Sequence, residues 1–121
     1  MSDYNALDSI TAPVIPDPTP FDFIICICGS TRFRDSITKA DRDLTLAGWI
    51  VLGPGVFGHS GDPLTDAQKV DLDVLHLRKI LMSTTVYVVN EGGYIGNSTR
   101  HEIEYAERSR RRVVFAWDGA R

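Results

Sequence analysis

The glycine-rich segment 92–102 holds the side chain best suited to catalysis. Three glycines within five residues indicate a loop, and a predicted helix follows it. Glu102 lies in the first turn of that helix, where the field of the helix N-terminus favours an ionised carboxylate, a suitable nucleophile or base. Thr99 and Glu102 also match the S/T-x-x-E capping box, so a purely structural role for Glu102 stays open.

The turn Gly29-Ser30-Thr31-Arg32 is a second candidate site. Glycine permits close approach of the backbone, the hydroxyl groups can donate hydrogen bonds, and a helix N-terminus offers unpaired N–H groups. Together these features suit an anion or a sugar. Alternatively, Ser30 or Thr31 simply caps the helix and Arg32 is solvated. The turn contains neither G-x-G-x-x-G nor G-x-x-x-x-G-K-[ST], so the sequence supports neither a dinucleotide site nor a P-loop.

A predicted helix around residues 70–81 carries further titratable side chains. Asp73 and His76 are three residues apart and therefore share a helix face. They form either a catalytic dyad or an ordinary surface hydrogen bond. Lys69, Arg78 and Lys79 are expected on the solvated side of the same helix.

The sequence predicts no metal site and no cofactor. His59, His76 and His101 are too scattered along the chain to propose a zinc site. Cys26 and Cys28 point to one face of an extended segment, a spacing too wide for an easy disulfide, and no second Cys/His pair follows at zinc-site spacing. We therefore predict two buried thiols in a reducing compartment. His59, in a Gly/Pro-rich loop, is either a plain loop residue or a ligand contact.

Alternating apolar and amphipathic segments position these residues. The predicted strands are 23–28, 49–52, 86–89 and 112–117, and the predicted helices are 31–47, the segment around 70–81, and about 98–110. The order β-α-β-α-β-α-β predicts an α/β fold with a parallel sheet covered on both faces. Ligands bind at the carboxyl ends of the strands in such sheets, and the candidate segments follow those ends.

Proline and charge divide the chain of 121 residues into two parts. Four of the six prolines, Pro13, Pro16, Pro18 and Pro20, lie close together, and residues 1–31 hold four Asp and neither Lys nor Arg. Such a segment cannot form a helix or a central strand. We predict an acidic, Pro-rich flexible leader over residues 1–20 and a single domain over residues 21–121.

Charge and hydropathy also exclude several classes of partner. The net charge is -3 and no basic block occurs, which argues against binding to long nucleic acids. No apolar run approaches the ~20 residues that would span a bilayer, so no membrane partner is expected. The N-terminus lacks the basic and apolar regions of a signal peptide, which favours a cytoplasmic protein.

Three motifs together resemble the nucleoside 2-deoxyribosyltransferase superfamily, which includes the 2'-deoxynucleoside 5'-phosphate N-hydrolases. The motifs are Gly29-Ser30-Thr31-Arg32, Asp73-x-x-His76-x-x-Lys79-Ile80 and Gly93-Tyr94-Ile95-Gly96-x-Ser98-Thr99-x-x-Glu102-Ile103-x-Tyr105-Ala106. The resemblance covers about residues 23–117. It implies a Rossmann-like, flavodoxin-related three-layer sandwich, here with four strands, and cleavage of an N-glycosidic bond.

The resemblance also implies a role for each matching residue. Glu102 would attack the anomeric carbon of a nucleoside or nucleoside 5'-monophosphate, and Asp73, oriented by His76, would move a proton to or from the base. Water or a second base would then take the sugar. The implied substrate-binding residues are Gly29, Ser30, Thr31, Arg32, His59, Tyr94, Gly96, Ser98 and Thr99.

Two departures from the family pattern support an alternative function. Relatives commonly carry Ala-Asp where this chain has Ser83-Thr84, and an acidic residue at the position of Leu81. Loss of a substrate-binding carboxylate would suit a non-catalytic nucleotide-binding module of the same fold. Relatives also form oligomers, and a core this small offers limited burial, so we expect a homodimer or a higher homo-oligomer.

Overall fold

A computed structural model describes residues 12–117 of the chain. Within this range four strands form one sheet: β1 (Ile24–Cys28), β2 (Ile50–Leu52), β3 (Thr85–Val88) and β4 (Arg112–Phe115). The three α-helices of the same range are α1 (Arg34–Ala47), α2 (Asp66–Met82) and α3 (Asn97–Arg108). None of these helices combines the length and the apolar character needed to cross a membrane.

The sheet is parallel throughout, with the strand order β2-β1-β3-β4. Cys26 on β1 pairs with Leu52 on one side and with Val86 on the other. The predicted α/β fold with a four-stranded parallel sheet is therefore confirmed. After β2 the chain crosses over β1 to form β3, so the strand order reverses between β1 and β3, and this is where sheets of this kind bind ligands.

Alternate residues of the strands face two separate apolar cores. Ile25 and Ile27 on β1 pack with Leu44 of α1 on one face of the sheet. Cys26 and Cys28 pack with Ile80 of α2 on the other face, together with residues of α3. The sheet is thus the middle layer of three, and the two cysteines lie on the side of α2 and α3.

The helix ends follow from local hydrogen bonds. α1 begins at Arg34 rather than at residue 31, because the N–H of Phe33 donates to the Ser30 carbonyl and closes a turn first. It ends at Gly48, whose φ of 109° is a left-handed conformation that glycine adopts without strain. α2 begins with a capping box in which Thr65 and Gln68 exchange side-chain to backbone hydrogen bonds.

Residues 12–20 lie against the domain. The Val14 carbonyl accepts a hydrogen bond from the Tyr87 hydroxyl at 2.7 Å, and the Pro16 carbonyl accepts one from the Trp49 indole N–H at 2.8 Å. Ile15 packs on the core under α1. The packed chain thus begins before the predicted boundary at residue 21, because an extended Pro-rich segment exposes carbonyls that buried side-chain donors can reach. Residues 1–11 of the predicted leader lie outside the described residues.

We expect Tyr87→Phe to destabilise the domain by about 1 kcal/mol, because it leaves the Val14 carbonyl without its donor. Urea unfolding measures this difference. Tyr105→Phe is the matched control, since the Tyr105 hydroxyl makes no hydrogen bond within residues 12–117. Equal stability of Tyr87→Phe and wild type would show that the hydrogen bond to residue 14 contributes nothing to folding.

Candidate functional site

A cavity of about 370 Å³ lies at the carboxyl end of β1, on the side of α2 and α3. Its volume falls within the range of small-molecule sites, which begins at roughly 300 Å³. Its walls come from the turn after β1, the loop after β2, one face of α2 and the first turns of α3. The cavity therefore occupies the position that the strand order predicts.

The turn after β1 and the loop after β2 are tied together at the mouth of the cavity. The Thr31 hydroxyl lies 3.1 Å from Nδ1 of His59 and accepts a hydrogen bond from the His59 backbone N–H at 3.2 Å. The Ser60 hydroxyl donates to the Thr31 carbonyl at 2.7 Å. Both Thr31 and His59 line the cavity, so these bonds give its rim a defined shape.

Gly29 is required where β1 ends. A Cβ atom at this position would lie 3.0 Å from the Val89 carbonyl oxygen and 3.2 Å from the Val89 Cβ. The turn that follows does not cap α1, because the residue before that helix is Phe33 and no side chain caps it. Instead the Arg32 Nε donates to the Ser30 hydroxyl at 2.9 Å. The capping alternative for Ser30 and Thr31 is therefore wrong.

Glu102 lies on the wall of the cavity. α3 starts after Gly96 without a side-chain cap, and Thr99 is buried, so Thr99 and Glu102 form no capping box. The Glu102 side chain is only 17% exposed, and its Oε1 lies 3.6 Å from Nε2 of His76. Burial raises the pKa of the Glu102 carboxyl, and the neighbouring His76 opposes that shift. The structure thus leaves this carboxylate available for chemistry.

His76 joins Glu102 to the two cysteines of β1. Its Nε2 lies 3.2 Å from Sγ of Cys28 and 3.9 Å from Sγ of Cys26. The hydrogen bond from Cys28, aided by His76, lowers the pKa of Cys26 to about 6. The pKa of Cys28 is raised, because it donates to Cys26 and is fully buried. Burial lowers the pKa of His76, but Cys26 and Glu102 outweigh it, so the imidazole protonates more readily than usual.

The prediction of two buried free thiols is confirmed. Their contact with His76 was not foreseen, because α2 brings this histidine to the pair from a distant part of the chain. The two sulfurs and the imidazole nitrogen all lie within 4.8 Å of one another, a donor set that could hold a metal ion. Spacing along the sequence gives no zinc site, but the fold brings the third donor, His76, to the two cysteines.

One face of α2 forms another part of the cavity wall. It carries Lys69, Asp73, His76 and Lys79. Lys69 is exposed, as expected for the solvated side, and also borders the cavity. The placement of Lys79 on the solvated side was wrong, because this side chain is half-buried and its ammonium donates to the Gly53 carbonyl at 2.7 Å. The spacing of four, three and three residues that joins these side chains is helical, so the pattern for this face was present in the sequence.

The structure divides the predicted site residues into two groups. Those that line the cavity are Gly29, Thr31, His59, Asp73, His76, Ser98 and Glu102, and those outside its lining are Ser30, Arg32, Tyr94, Gly96 and Thr99. In the second group, the Arg32 guanidinium lies 4.7 Å from the centre of the Tyr94 ring. Thr99 is 3% exposed. Ser30, Arg32, Tyr94 and Gly96 belong to the neighbouring turn and loop, and Thr99 is buried within α3.

Thr84 lies just before β3, at the edge of the sheet opposite the cavity. The hydroxyls of Thr84 and Thr85 both donate to Oδ1 of Asp22, and Oδ2 of Asp22 pairs with Arg112 at 3.3 Å. A carboxylate is thus present at this edge, supplied by Asp22. The absence of an acidic residue at position 84 removes no group from the cavity.

Comparisons of this chain with protein-family models, with curated proteins and with solved structures found no match.

Proposed function

We propose that this chain cleaves the N-glycosidic bond of a nucleoside or nucleoside 5'-monophosphate, with Glu102 as the nucleophile. The observation that carries the proposal is the placement of Glu102. Its side chain takes part in no capping box, is mostly buried, and lines the same cavity as Asp73. The resemblance to nucleoside 2-deoxyribosyltransferases, which rests on the motifs around these two residues, supports the same chemistry.

The proposed reaction has two steps. A Glu102 oxygen bonds to C1' of the sugar as the bond from C1' to the base nitrogen breaks, and Asp73 gives its proton to the departing base. The sugar is then held on Glu102 as an ester. Water, or the nitrogen of a second base, attacks C1' and frees Glu102, while Asp73 takes back a proton. The first outcome is hydrolysis and the second is base exchange.

Cationic side chains at the cavity support an anionic substrate. Lys69 and Lys79 lie on its α2 wall, and Ser98 lies at the start of α3, where free backbone N–H groups favour anions. We therefore expect the 5'-monophosphate to be a better substrate than the corresponding nucleoside. Arg32, which stacks on Tyr94 outside the cavity lining, is not assigned to the phosphate.

The test incubates the chain with a panel of ribo- and deoxynucleosides and their 5'-monophosphates. Chromatography then measures the free base that is released. We expect release from at least one member of the panel by the wild-type chain in the presence of a chelator. Saturable binding of nucleotides without release of base from any substrate would refute the enzyme and establish the non-catalytic binding module instead.

We also propose that two copies of the chain associate through an apolar face of α2. Val70 and Val74 are 61% and 48% exposed, and Leu81, on the same face of the helix, is 44% exposed. Leu75, exposed on the same helix, contributes to the cavity lining. A second copy packed on this face would cover apolar surface that a monomer leaves in water and would border the cavity.

We expect light scattering to show a dimer or a larger assembly for the wild type, and a monomer for the double variant Val70→Lys, Val74→Lys, because two buried ammonium groups would oppose association. Leu46→Lys is the matched control, since Leu46 is 71% exposed on α1. A wild-type monomer at micromolar concentration, or an unchanged assembly in the double variant, would contradict this interface.

A further inference from the structure

We propose that Cys26, Cys28, His76 and Glu102 form a binding site for Zn²⁺ beneath the floor of the cavity. The cysteines are two residues apart on β1 and point to the same face of the sheet, toward α2 and α3. α2 supplies the imidazole and α3 supplies the carboxylate. Three separate elements of the core therefore direct their donor atoms to one point.

The distances from the His76 imidazole to the other three donor atoms are close to those of a tetrahedral zinc site. With Zn–S near 2.3 Å and Zn–N or Zn–O near 2.0–2.2 Å, neighbouring donor atoms are about 3.3–3.8 Å apart. Here Nε2 of His76 lies 3.2 Å from Sγ of Cys28, 3.9 Å from Sγ of Cys26 and 3.6 Å from Oε1 of Glu102. The two sulfurs lie within 4.8 Å of one another. Zn²⁺ would draw Cys26, Cys28 and His76 together, and the Glu102 carboxylate, which lies beside His76, would move to become the fourth ligand.

The chemistry of the donors selects the metal. Two thiolates and an imidazole suit Zn²⁺, whereas Mg²⁺ and Ca²⁺ prefer sets of oxygen ligands. The exposed fractions of Cys26 and Cys28 are 0% and 1%, so the sulfur side is closed to solvent. His76 and Glu102 border the cavity, which gives the ion a path of entry.

Charge balance is consistent with a bound dication. Coordination releases to solvent the protons that the two thiols and the His76 Nε2 hold, and no oxidation or reduction takes place. The two thiolates and the Glu102 carboxylate then carry three negative charges. Zn²⁺ supplies two positive charges, and the ammonium of Lys79, which acts electrostatically on both Cys26 and His76, supplies the third.

The zinc site does not depend on the proposed glycosidase activity, but the two share Glu102. A carboxylate oxygen bound to Zn²⁺ cannot attack C1' of a sugar. Zinc binding and base release therefore exclude one another, so we expect stoichiometric Zn²⁺ to inhibit release and a chelator to restore it.

The test is titration of the reduced, metal-free full-length chain with Co²⁺, a spectroscopic substitute for Zn²⁺. We expect one equivalent of Co²⁺ to give cobalt–thiolate charge-transfer absorption and the visible bands of tetrahedral Co²⁺. We expect Zn²⁺, but not Mg²⁺, to displace the bound Co²⁺. We expect Cys28→Ser and His76→Gln to weaken Co²⁺ binding at least about 100-fold, since even outer-shell changes cost roughly 10–100-fold.

His101→Gln is the matched control, because His101 is an exposed histidine outside the cluster. His76→Gln removes a donor at the cavity wall and tests the site even if Cys28→Ser, in the core, fails to fold. Absence of cobalt–thiolate absorption at stoichiometric Co²⁺, or equal binding by the control and His76→Gln, would overturn the zinc site. Base release by a chain that binds no Co²⁺ would overturn the zinc site alone. Co²⁺ binding by a chain that releases no base when it is metal-free would sustain the zinc site and overturn the glycosidase.

Discussion

Glu102→Gln is expected to lower the rate of base release by at least about 1000-fold, because the amide cannot form the bond to C1' on which the proposed reaction depends. The substitution keeps the size and shape of the side chain. Steady-state release of base, measured with the best substrate of the panel in the presence of a chelator, gives the ratio of rates.

The same variant is expected to fold at least as stably as the wild type. Burial raises the pKa of Glu102, so the folded state holds this carboxylate at a cost that a neutral amide does not incur. Glu104→Gln, an exposed change on the same helix, is the matched control for activity and for thermal unfolding. Equal rates for Glu102→Gln and Glu104→Gln would exclude Glu102 as the nucleophile.

Asp73→Asn is expected to lower base release about 100-fold for a neutral leaving base, because general acid catalysis typically contributes roughly 10²–10⁴-fold. Asp73 lies on the α2 wall of the cavity. The loss should nearly vanish with a 7-methylguanine substrate, whose base already carries a positive charge and leaves without receiving a proton.

Comparing these two substrates separates proton transfer from positioning. Asp71→Asn is the matched control, since Asp71 is exposed on the same helix and does not line the cavity. An equal loss on both substrates would show that Asp73 binds or positions the substrate and that another group protonates the base.

The layers of the fold were predictable because its strands and helices have strong local patterns. Continuous apolar runs such as that of β1 are typical of strands buried on both faces, and Gly48 stops the helical spacing of α1 where a left-handed residue is needed. The first turn of α1 was placed too early because the Ser30–Phe33 turn has no pattern of its own in the sequence.

The site was predictable only in part, because its most unusual contacts are not local. Nothing in the spacing of Cys26 and Cys28 predicts that His76 packs over them, since α2 follows a long loop. The packing of Val14 and Pro16 was missed for a related reason. Proline excludes helix and central strand but does not prevent a carbonyl from accepting a hydrogen bond from a buried Trp or Tyr.

The two alternatives for Glu102 were a capping box with Thr99 and a role in the site. They differ in which group the carboxylate contacts, and the sequence alone cannot show that contact. The S/T-x-x-E pattern fits a capping box, but Thr99 is buried and α3 starts at Asn97 after Gly96, so the carboxylate faces His76 instead. The capping box appears at α2, where Thr65 and Gln68 form it. The S/T-x-x-E pattern predicts a capping box only when the first residue of the helix is known.

Capture of the sugar on Glu102 tests the proposed chemistry most directly. The metal-free chain is incubated with a nucleoside 5'-monophosphate whose sugar carries fluorine at C2', which slows the loss of the covalent intermediate more than its formation. Mass spectrometry of the intact chain and of its peptides then locates the adduct. We expect a gain of one fluorosugar phosphate, placed on Glu102 and absent from Glu102→Gln. An adduct on another residue, or release of base with no adduct on any residue, would contradict the nucleophilic role of Glu102.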